Sequence, residues 1–393
     1  MSEKIEKGWK RVKLGEVANF SQGIQVPVDY QLKKKKPNYV RFIRIVDFTK
    51  READDIRYIK FPGEKYIVSK EDLIMIRYGS QTAGKVVKGV SGAIANNMLK
   101  INIFEKVDKV FLYYYLNQNT IFSYLRNSQS SSTMPAITFD MLKNLEIEIP
   151  KSIEEQKAIA AVLSSLDDKI DLLHRQNKTL EAMAEALFRK WFIEEAKEDW
   201  EEVKLEDVCE IKNGYAFKSN TYQAEGQKII RTLNFKNGFI ELQNLVYISK
   251  ELAESFDKYY LKRKDFLLVM VGANIGNYAI VTEDILPALQ NQNMWCFRAI
   301  QADFQLYLNC YLKQLIREKV NITSGSAREF FQKKVFYNFT ISIPDSFRLT
   351  TFNEIAEEIF NKIENNRAQI RTLEQLRDTL LPKLMSGEVR VKY

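Results

Sequence analysis

Residues 9–25 read WKRVKLGEVANFSQGIQ, and 191 positions later residues 200–216 read WEEVKLEDVCEIKNGYA. Trp9, Val12, Lys13, Leu14, Val17 and Gly23 recur as Trp200, Val203, Lys204, Leu205, Val208 and Gly214. The echo continues with DLIMIRYG (72–79) against DFLLVMVG (265–272) and with Asn97-Met98 against Asn293-Met294. It closes with IEIP (147–150) against ISIP (341–344), each followed by a long helical stretch. A period this long is a duplicated domain with its helix, not a solenoid unit. Whatever the chain does must use two copies of one part.

A chain of 393 residues is long enough for two or three domains, each with its own core. Hydrophobic residues make up 45% and aromatic residues 12%, so the chain folds. A formal net charge of +8 and a pI near 9.0 point towards polyanions, nucleic acid first, or an acidic membrane face. No apolar run approaches the roughly 18 residues of a membrane span. The opening MSEKIEKGWKRVKLGEV has no apolar leader core, and a cytoplasmic location is expected. Cys209, Cys296 and Cys310 lack paired spacing, and His174 is the one histidine. A zinc site needs about four clustered ligands, so no metal is expected.

Within residues 1–150 the runs VRFIRIVDF (40–48), DLIMIR (72–77), KVVKGV (85–90) and LEIEIP (145–150) read as strands between turn residues. One helix is expected at 108–126. The second copy repeats the scheme with KIIRTLNF (228–235), DFLLVMV (265–271), NMWCFRAI (293–300), a helix near 303–319 and FTISIP (339–344). The class is α+β: two mixed α/β domains separated by two long antiparallel coiled-coil helices, with a pseudo-two-fold internal repeat. The expected divisions are 1–150, 151–198, 199–344 and 345–393.

After each "IP" the hydrophobic period changes. Ile159, Leu163, Leu166, Ile170, Leu173, Asn177, Leu180, Ala184, Leu187 and Trp191 fall on alternating three- and four-residue steps. The register shifted by 193 gives Phe352, Ala356, Ile359, Ile363, Asn366, Ile370, Leu373, Arg377, Leu380 and Leu384. This is coiled-coil patterning over four heptads or more, in helices about 55–60 Å long. Each apolar stripe needs cover, and the other helix supplies it. In a parallel pair Asn177 would face Ile370 and Asn366 would face Leu173, leaving two buried amides unpaired at roughly 1–3 kcal/mol each. In an antiparallel pair Asn177 meets Asn366. Antiparallel pairing is therefore expected, with Leu166, Ile170, Ile363 and Ile370 packing around the amides. Such a pair places two domains in inverted orientation, matching the dyad of duplex DNA and making the helices a ruler between two half-sites.

No catalytic constellation is visible. GSQTAGKV (79–86) resembles a phosphate loop, but Val86 stands where the metal-binding hydroxyl belongs, and GANIGNYA (272–279) lacks the lysine. Asp167-Asp168-Lys169 is expected to be a solvated helix face. Groups suited to DNA are more abundant: Arg and Lys for phosphates and guanine, Asn and Gln for adenine. In the first copy these are Gln22, the run Lys33, Lys34, Lys35 and Lys36, then Arg44, Arg77, Tyr78, Ser80, Gln81, Asn96, Asn97, Ser130, Ser132 and Thr133. In the second they are Lys212, Asn213, Lys218, Arg231, Asn234, Asn274, Gln290, Asn291, Gln292, Ser324, Ser326 and Arg328.

The segment IPKSIEEQKAIAAVLSSLDDKIDLLHRQNKTLEAMAEALFRKWF (149–192) and the terminus LRDTLLPKLMSGEVRV (376–391) resemble the conserved regions of the specificity subunit of type I restriction-modification enzymes. The W..VkLgeV openings resemble that family's target recognition domains. The second helix departs from the pattern: IPDSFRLTTFNEIAEEI (343–359) lacks the Glu-Gln of the first. The resemblance implies a non-catalytic subunit that reads a bipartite, asymmetric DNA target and binds two methyltransferase subunits, joined by restriction subunits for cleavage. S-adenosylmethionine, Mg2+ and ATP would belong to those partners, with none bound by this chain. Two alternatives stay open on the residues alone: a basic coiled-coil DNA-binding scaffold, and a self-contained modification or restriction protein.

Overall fold

The computed structural model describes residues 7–49, 55–79, 82–127, 136–272, 274–320 and 332–392. By its internal contacts the chain divides into two units, Met1–Ile170 with Thr372–Tyr393, and Asp171–Arg371. Each holds one copy of the repeat and a stretch of both long helices, Ile153–Arg189 and Ser346–Met385.

In the first unit, Trp9–Lys13 pairs antiparallel with Glu146–Pro150, so the start and end of the repeated domain close on each other. One four-stranded sheet runs Ala18–Gln22, Met98–Ile103, Leu73–Ile76, Val86–Lys88. Leu73–Ile76 is buried at every position because both its faces are covered, which is why it reads as an unbroken apolar run. A second sheet runs Arg57–Lys60, Tyr39–Ile43, Gly92–Ile94, Ile67–Val68, with Tyr39–Ile43 and Gly92–Ile94 parallel. The second unit repeats this plan. Glu201–Lys204 pairs with Thr340–Ile343, and Cys209–Asn213, Met294–Ala299, Phe266–Val269 and Tyr278–Ile280 form the main sheet. Val246–Ile248, Gln227–Ile230 and Ala288–Gln290 form the other, again with one parallel pair. Here the main sheet gains two short strands, Gly238–Ile240 and Phe235–Lys236.

Three local expectations change. The helix expected over 108–126 is two helices, Lys109–Leu116 and Asn119–Asn127. Asn117 breaks it: its amide accepts from Val86 N (3.1 Å) and donates to Val86 O (3.0 Å), occupying a strand edge as a backbone amide would. The runs 40–48 and 228–235 are also not single strands. Each bends at an arginine into a capped turn, Val46–Thr49 after Tyr39–Ile43 and Thr232–Asn234 after Gln227–Ile230.

The long helices follow the expected heptads, and within each unit they run antiparallel. In the second unit Asn366 Nδ2 donates to Asn177 Oδ1 at 2.8 Å, with Asn177 7% and Asn366 0% exposed. Ile170, Leu173, Ile363 and Ile370 are buried and Leu166 is half-buried. Towards the end of the first helix the buried rings are Phe188 and Phe192 rather than Leu187 and Trp191, and the helix closes with a π-turn over Lys190–Glu194. Phe188 and Phe192 pack on Tyr307 and Phe352.

In the first unit Arg377, at a core heptad position, bonds Asp167 at 2.9 Å, while Ile159, Ala160 and Leu163 share a core with Leu384 and Met385. Asp167 therefore departs from the solvated face expected of it. It also accepts from Tyr114 Oη at 2.7 Å, while Asp168, Lys169 and His174 remain exposed. Burial, and then the bond to Asp167, holds the Tyr114 phenol well above its ordinary range.

Candidate nucleic-acid interface

The repeated glycines position the site. An added Cβ at Gly23 would lie 2.2 Å from Ala95 O, and at Gly214 1.9 Å from Asn291 O. Neither position has room for a side chain, so the chain leaving the first sheet strand presses directly on the loop after Gly92–Ile94 or Ala288–Gln290. The contact is stitched alike in both units. Ile24 N donates to Ile94 O (2.9 Å) and Asn96 N to Ile24 O (3.0 Å). Tyr215 N donates to Gln290 O (3.1 Å) and Gln292 N to Tyr215 O (2.9 Å). The next bond also matches, Arg77 N to Asn97 O and Met270 N to Asn293 O. Each unit thus holds three loops side by side: the one after the glycine, the amide loop, and the end of the central strand.

In the first unit these loops assemble amides. Gln22 is exposed and donates to Asn96 O at 3.1 Å, and Asn96 Nδ2 donates to Gln25 Oε1 at 3.3 Å. A cleft of roughly 270 Å³ opens beside them, lined in part by Gln25, Gln31, Arg44, Val46, Asn96 and Asn97. Arg77 is held by Ile137 O at 2.9 Å and lies over the rings of Tyr78 and Phe139. Lys33, Lys34, Lys35 and Lys36 are all exposed. Arg44 is engaged within the domain, bonding Asp55 (Nη1 to Oδ2, 3.1 Å) with Asp47 nearby. Hydrogen bonds from Arg57 and Arg44 keep the Asp55 carboxyl below its usual range.

In the second unit the corresponding surface carries Asn213, Lys218, Asn274 and Gln292, all exposed, with Asn291 half-buried. Lys212 is half-buried and paired with Glu210 at 3.2 Å. Arg231 bonds Asn244 O at 2.7 Å. Two expected readers are structural instead. Asn234 is 2% exposed because its side chain caps Arg231 N and bonds Gln243 O. Gln290, also 2% exposed, braces Lys212 O and Met294 O. Their polar groups are consumed holding loops, which is what buried amides must do. Ser80, Gln81, Ser130, Ser132, Thr133, Ser324, Ser326 and Arg328 lie outside the described residues.

Sequence reasoning missed two residues of this surface. Gln25 and Tyr215 follow the repeated glycines by two and one positions, and that adjacency was the available signal. Tyr215 is 38% exposed and its ring is braced by Phe217, Phe256 and Tyr259. An edge-braced aromatic beside amides suits stacking or groove contact.

In the phosphate-loop lookalike the described amides are already engaged. Amides of Thr82, Ala83, Gly84 and Lys85 donate to Gly79 O, Gly79 O, Ile76 O and Thr82 O, so the hairpin uses them all. The cysteines are packing residues: burial pushes the Cys209 thiol up to about 12 and that of Cys310 up to about 11. Among the described residues, no group of three His, Cys, Asp or Glu is placed to hold a metal ion, and no helix is long and apolar enough to cross a membrane.

Residues 6–182 and 197–375 both match the type I restriction modification DNA specificity domain. The chain is 24% identical to the type I restriction enzyme MjaVIII specificity subunit of Methanocaldococcus jannaschii, covering 99% of this chain and 95% of that one. It is 30% identical to the MjaIX specificity subunit of the same organism over 76% of this chain and 75% of the relative. The EcoBI specificity subunit of Escherichia coli is 23% identical over 99% and 88%. The fold is similar to that of the crystallised type I restriction-modification S subunit from M. genitalium, with a TM-score of 0.63 and 17% identity over 98% and 97% of the two chains.

Proposed function

The chain belongs to the type I restriction-modification DNA specificity family, and from that premise we propose that it reads a bipartite, asymmetric DNA target, one half-site per recognition domain. The observation that carries this reading is one loop arrangement built twice and furnished differently. Gln22, Gln25 and Asn96 in the first domain stand where Asn213, Ala216 and Gln292 stand in the second. An identical scaffold with different donors and acceptors suits two different base sequences.

The chain itself carries no reaction in this reading. It docks two methyltransferase subunits, and restriction subunits join for cleavage; S-adenosylmethionine, Mg2+ and ATP serve those partners. A target whose two half-sites are related by the duplex dyad suits a chain that carries the same recognition unit twice. The long helices then act as the ruler between half-sites.

Footprinting of the assembled methyltransferase tests this. The expected result is two short, sequence-specific protected patches about one DNA turn apart; uniform protection would sink it. Replacing residues 1–150 with another member's domain should change one half-site only. Inserting four residues near Gln176 should lengthen the helix by ~6 Å, and the spacer by one or two base pairs at ~3.4 Å each, with both half-sites unchanged.

A further inference from the structure

One turn recurs in both units, and in each the capping side chain and the arginine turn inward. After Tyr39–Ile43, Arg44 N donates to Asp47 Oδ2 (2.8 Å) and Asp47 N to Arg44 O (3.0 Å). After Gln227–Ile230, Arg231 N donates to Asn234 Oδ1 (2.9 Å) and Asn234 N to Arg231 O (2.9 Å). The bonding is the same although the two turns share only the arginine. The capping side chains are buried, Asp47 at 1% and Asn234 at 2% exposure. Both guanidinium groups fold back onto their own domain, towards Asp55 in one and Asn244 O in the other.

What each turn offers to water is an aliphatic side chain: Val46, 40% exposed, and Leu233, 76% exposed. A single exposed leucine is ordinary. Two apolar tips at the equivalent place in both copies, each held out by a buried cap, are a shared construction. In the first unit the tip sits within the candidate interface, since Val46 lines the same cleft as Gln25, Asn96 and Asn97. In both units the amide loop bonds the end of the strand that leads into the turn, Ala95 N to Ile43 O and Asn291 N to Ile230 O.

Resting on the DNA-reading function proposed above, we infer that Val46 and Leu233 are apolar base readers that seat against the C5-methyl of a thymine in the major groove, one in each half-site. A side chain without donor or acceptor can tell base edges apart only by an apolar group. On the major-groove edge that group is the thymine methyl. The amides beside the tip read hydrogen bonds and the tip reads the methyl, so the two kinds of contact divide one half-site between them.

The test uses the full chain assembled with its methyltransferase subunits and a duplex carrying the mapped target. Thymines are replaced by uracil one at a time, which removes only the methyl. In the wild type, one replacement in each half-site should weaken binding about fourfold, the worth of one buried carbon. Leu233→Ala should abolish that penalty in the half-site of the second domain alone, and Val46→Ala in the other alone. Leu233→Ala should keep the wild-type melting temperature, since that side chain is 76% exposed.

If no uracil replacement weakens the wild type, or if the penalties persist unchanged in both variants, the inference is overturned. A variant that instead loses its methyltransferase partners on gel filtration would show the tip to be a protein contact, and would overturn it too. Absence of any sequence preference in the wild-type complex is a separate result. It would defeat the DNA-reading function itself.

Discussion

The two units solve the same joint with opposite chemistry. In the first, the helix pair is pinned by polar groups: Asp167 receives Tyr114 Oη and Arg377, and the C-terminal Arg390 reaches the buried carboxylate of Glu155 at 2.8 Å. In the second, the equivalent of Asp167 is Phe360, and Phe188, Phe192, Tyr307 and Phe352 pack ring against ring. There the arginine of the joint is Arg348, at the start of the second helix, and it bonds Trp191 O and Glu195 O at 3.0 Å each. A duplicated fold keeps its backbone plan while the groups that close it diverge. Charged groups close the joint in the first half, whereas an aromatic cluster closes it in the second, beside the Asn177–Asn366 amide bond that fixes direction there.

That contrast can be broken most forcefully at Phe352. It is fully buried, so Phe352→Ala should cost about 3–5 kcal/mol in denaturant unfolding. A loss below 1 kcal/mol would mean the aromatic cluster is not what holds this joint. Asn177→Leu should cost about 1–3 kcal/mol by stranding the Asn366 amide, and adding Asn366→Leu should recover most of it. Failure of the double variant to recover would assign the loss to packing, not to the amide bond. Asp167→Ala in the first unit should cost about 1–2 kcal/mol, because the ion pair with Arg377 is partly exposed and most of the loss comes from stranding the Tyr114 hydroxyl. If it matched Phe352→Ala, the distinction between polar and apolar joints would be lost.

The smallest expected effect is a pH dependence confined to the second unit. Burial opposes ionisation of Glu357, but hydrogen bonds from Lys264 and Arg263 outweigh it and hold the carboxyl below its ordinary value near 4.5. A depressed folded value means stability that is present above the unfolded value and lost as pH falls through the folded one. Glu357→Gln should therefore flatten the acid limb of the unfolding midpoint below about pH 4.5, leaving neutral pH little changed. An unaltered acid limb would show that the pair contributes nothing.

Much of this architecture was legible in the amino-acid sequence because repeats and heptads are periodic signals. Two asparagines in two apolar stripes sufficed to distinguish antiparallel from parallel pairing, since only one arrangement lets them bond. The candidate site was less legible. Asn234 and Gln290 look like base readers by residue type, yet their amides are spent inside the domain on Gln243 O and Met294 O. Asp167 looks solvated beside Asp168, yet a tyrosine 53 positions earlier reaches it. Residue type gives bonding capacity; which partner takes up that capacity is decided by contacts distant in sequence. Val46 and Leu233 carried no signal at all, because an aliphatic residue after a strand reads as more core.

The pressure of Gly23 on Ala95 O and of Gly214 on Asn291 O has a consequence for how such a molecule can change. Both positions are barred to every other amino acid by backbone that cannot retreat, whereas exposed neighbours such as Gln22 and Gln292 meet no such obstacle. Innovation and constancy sit side by side in the chain, so a new vocabulary can be acquired by exchanging a few outward groups while the grammar that holds them is left alone.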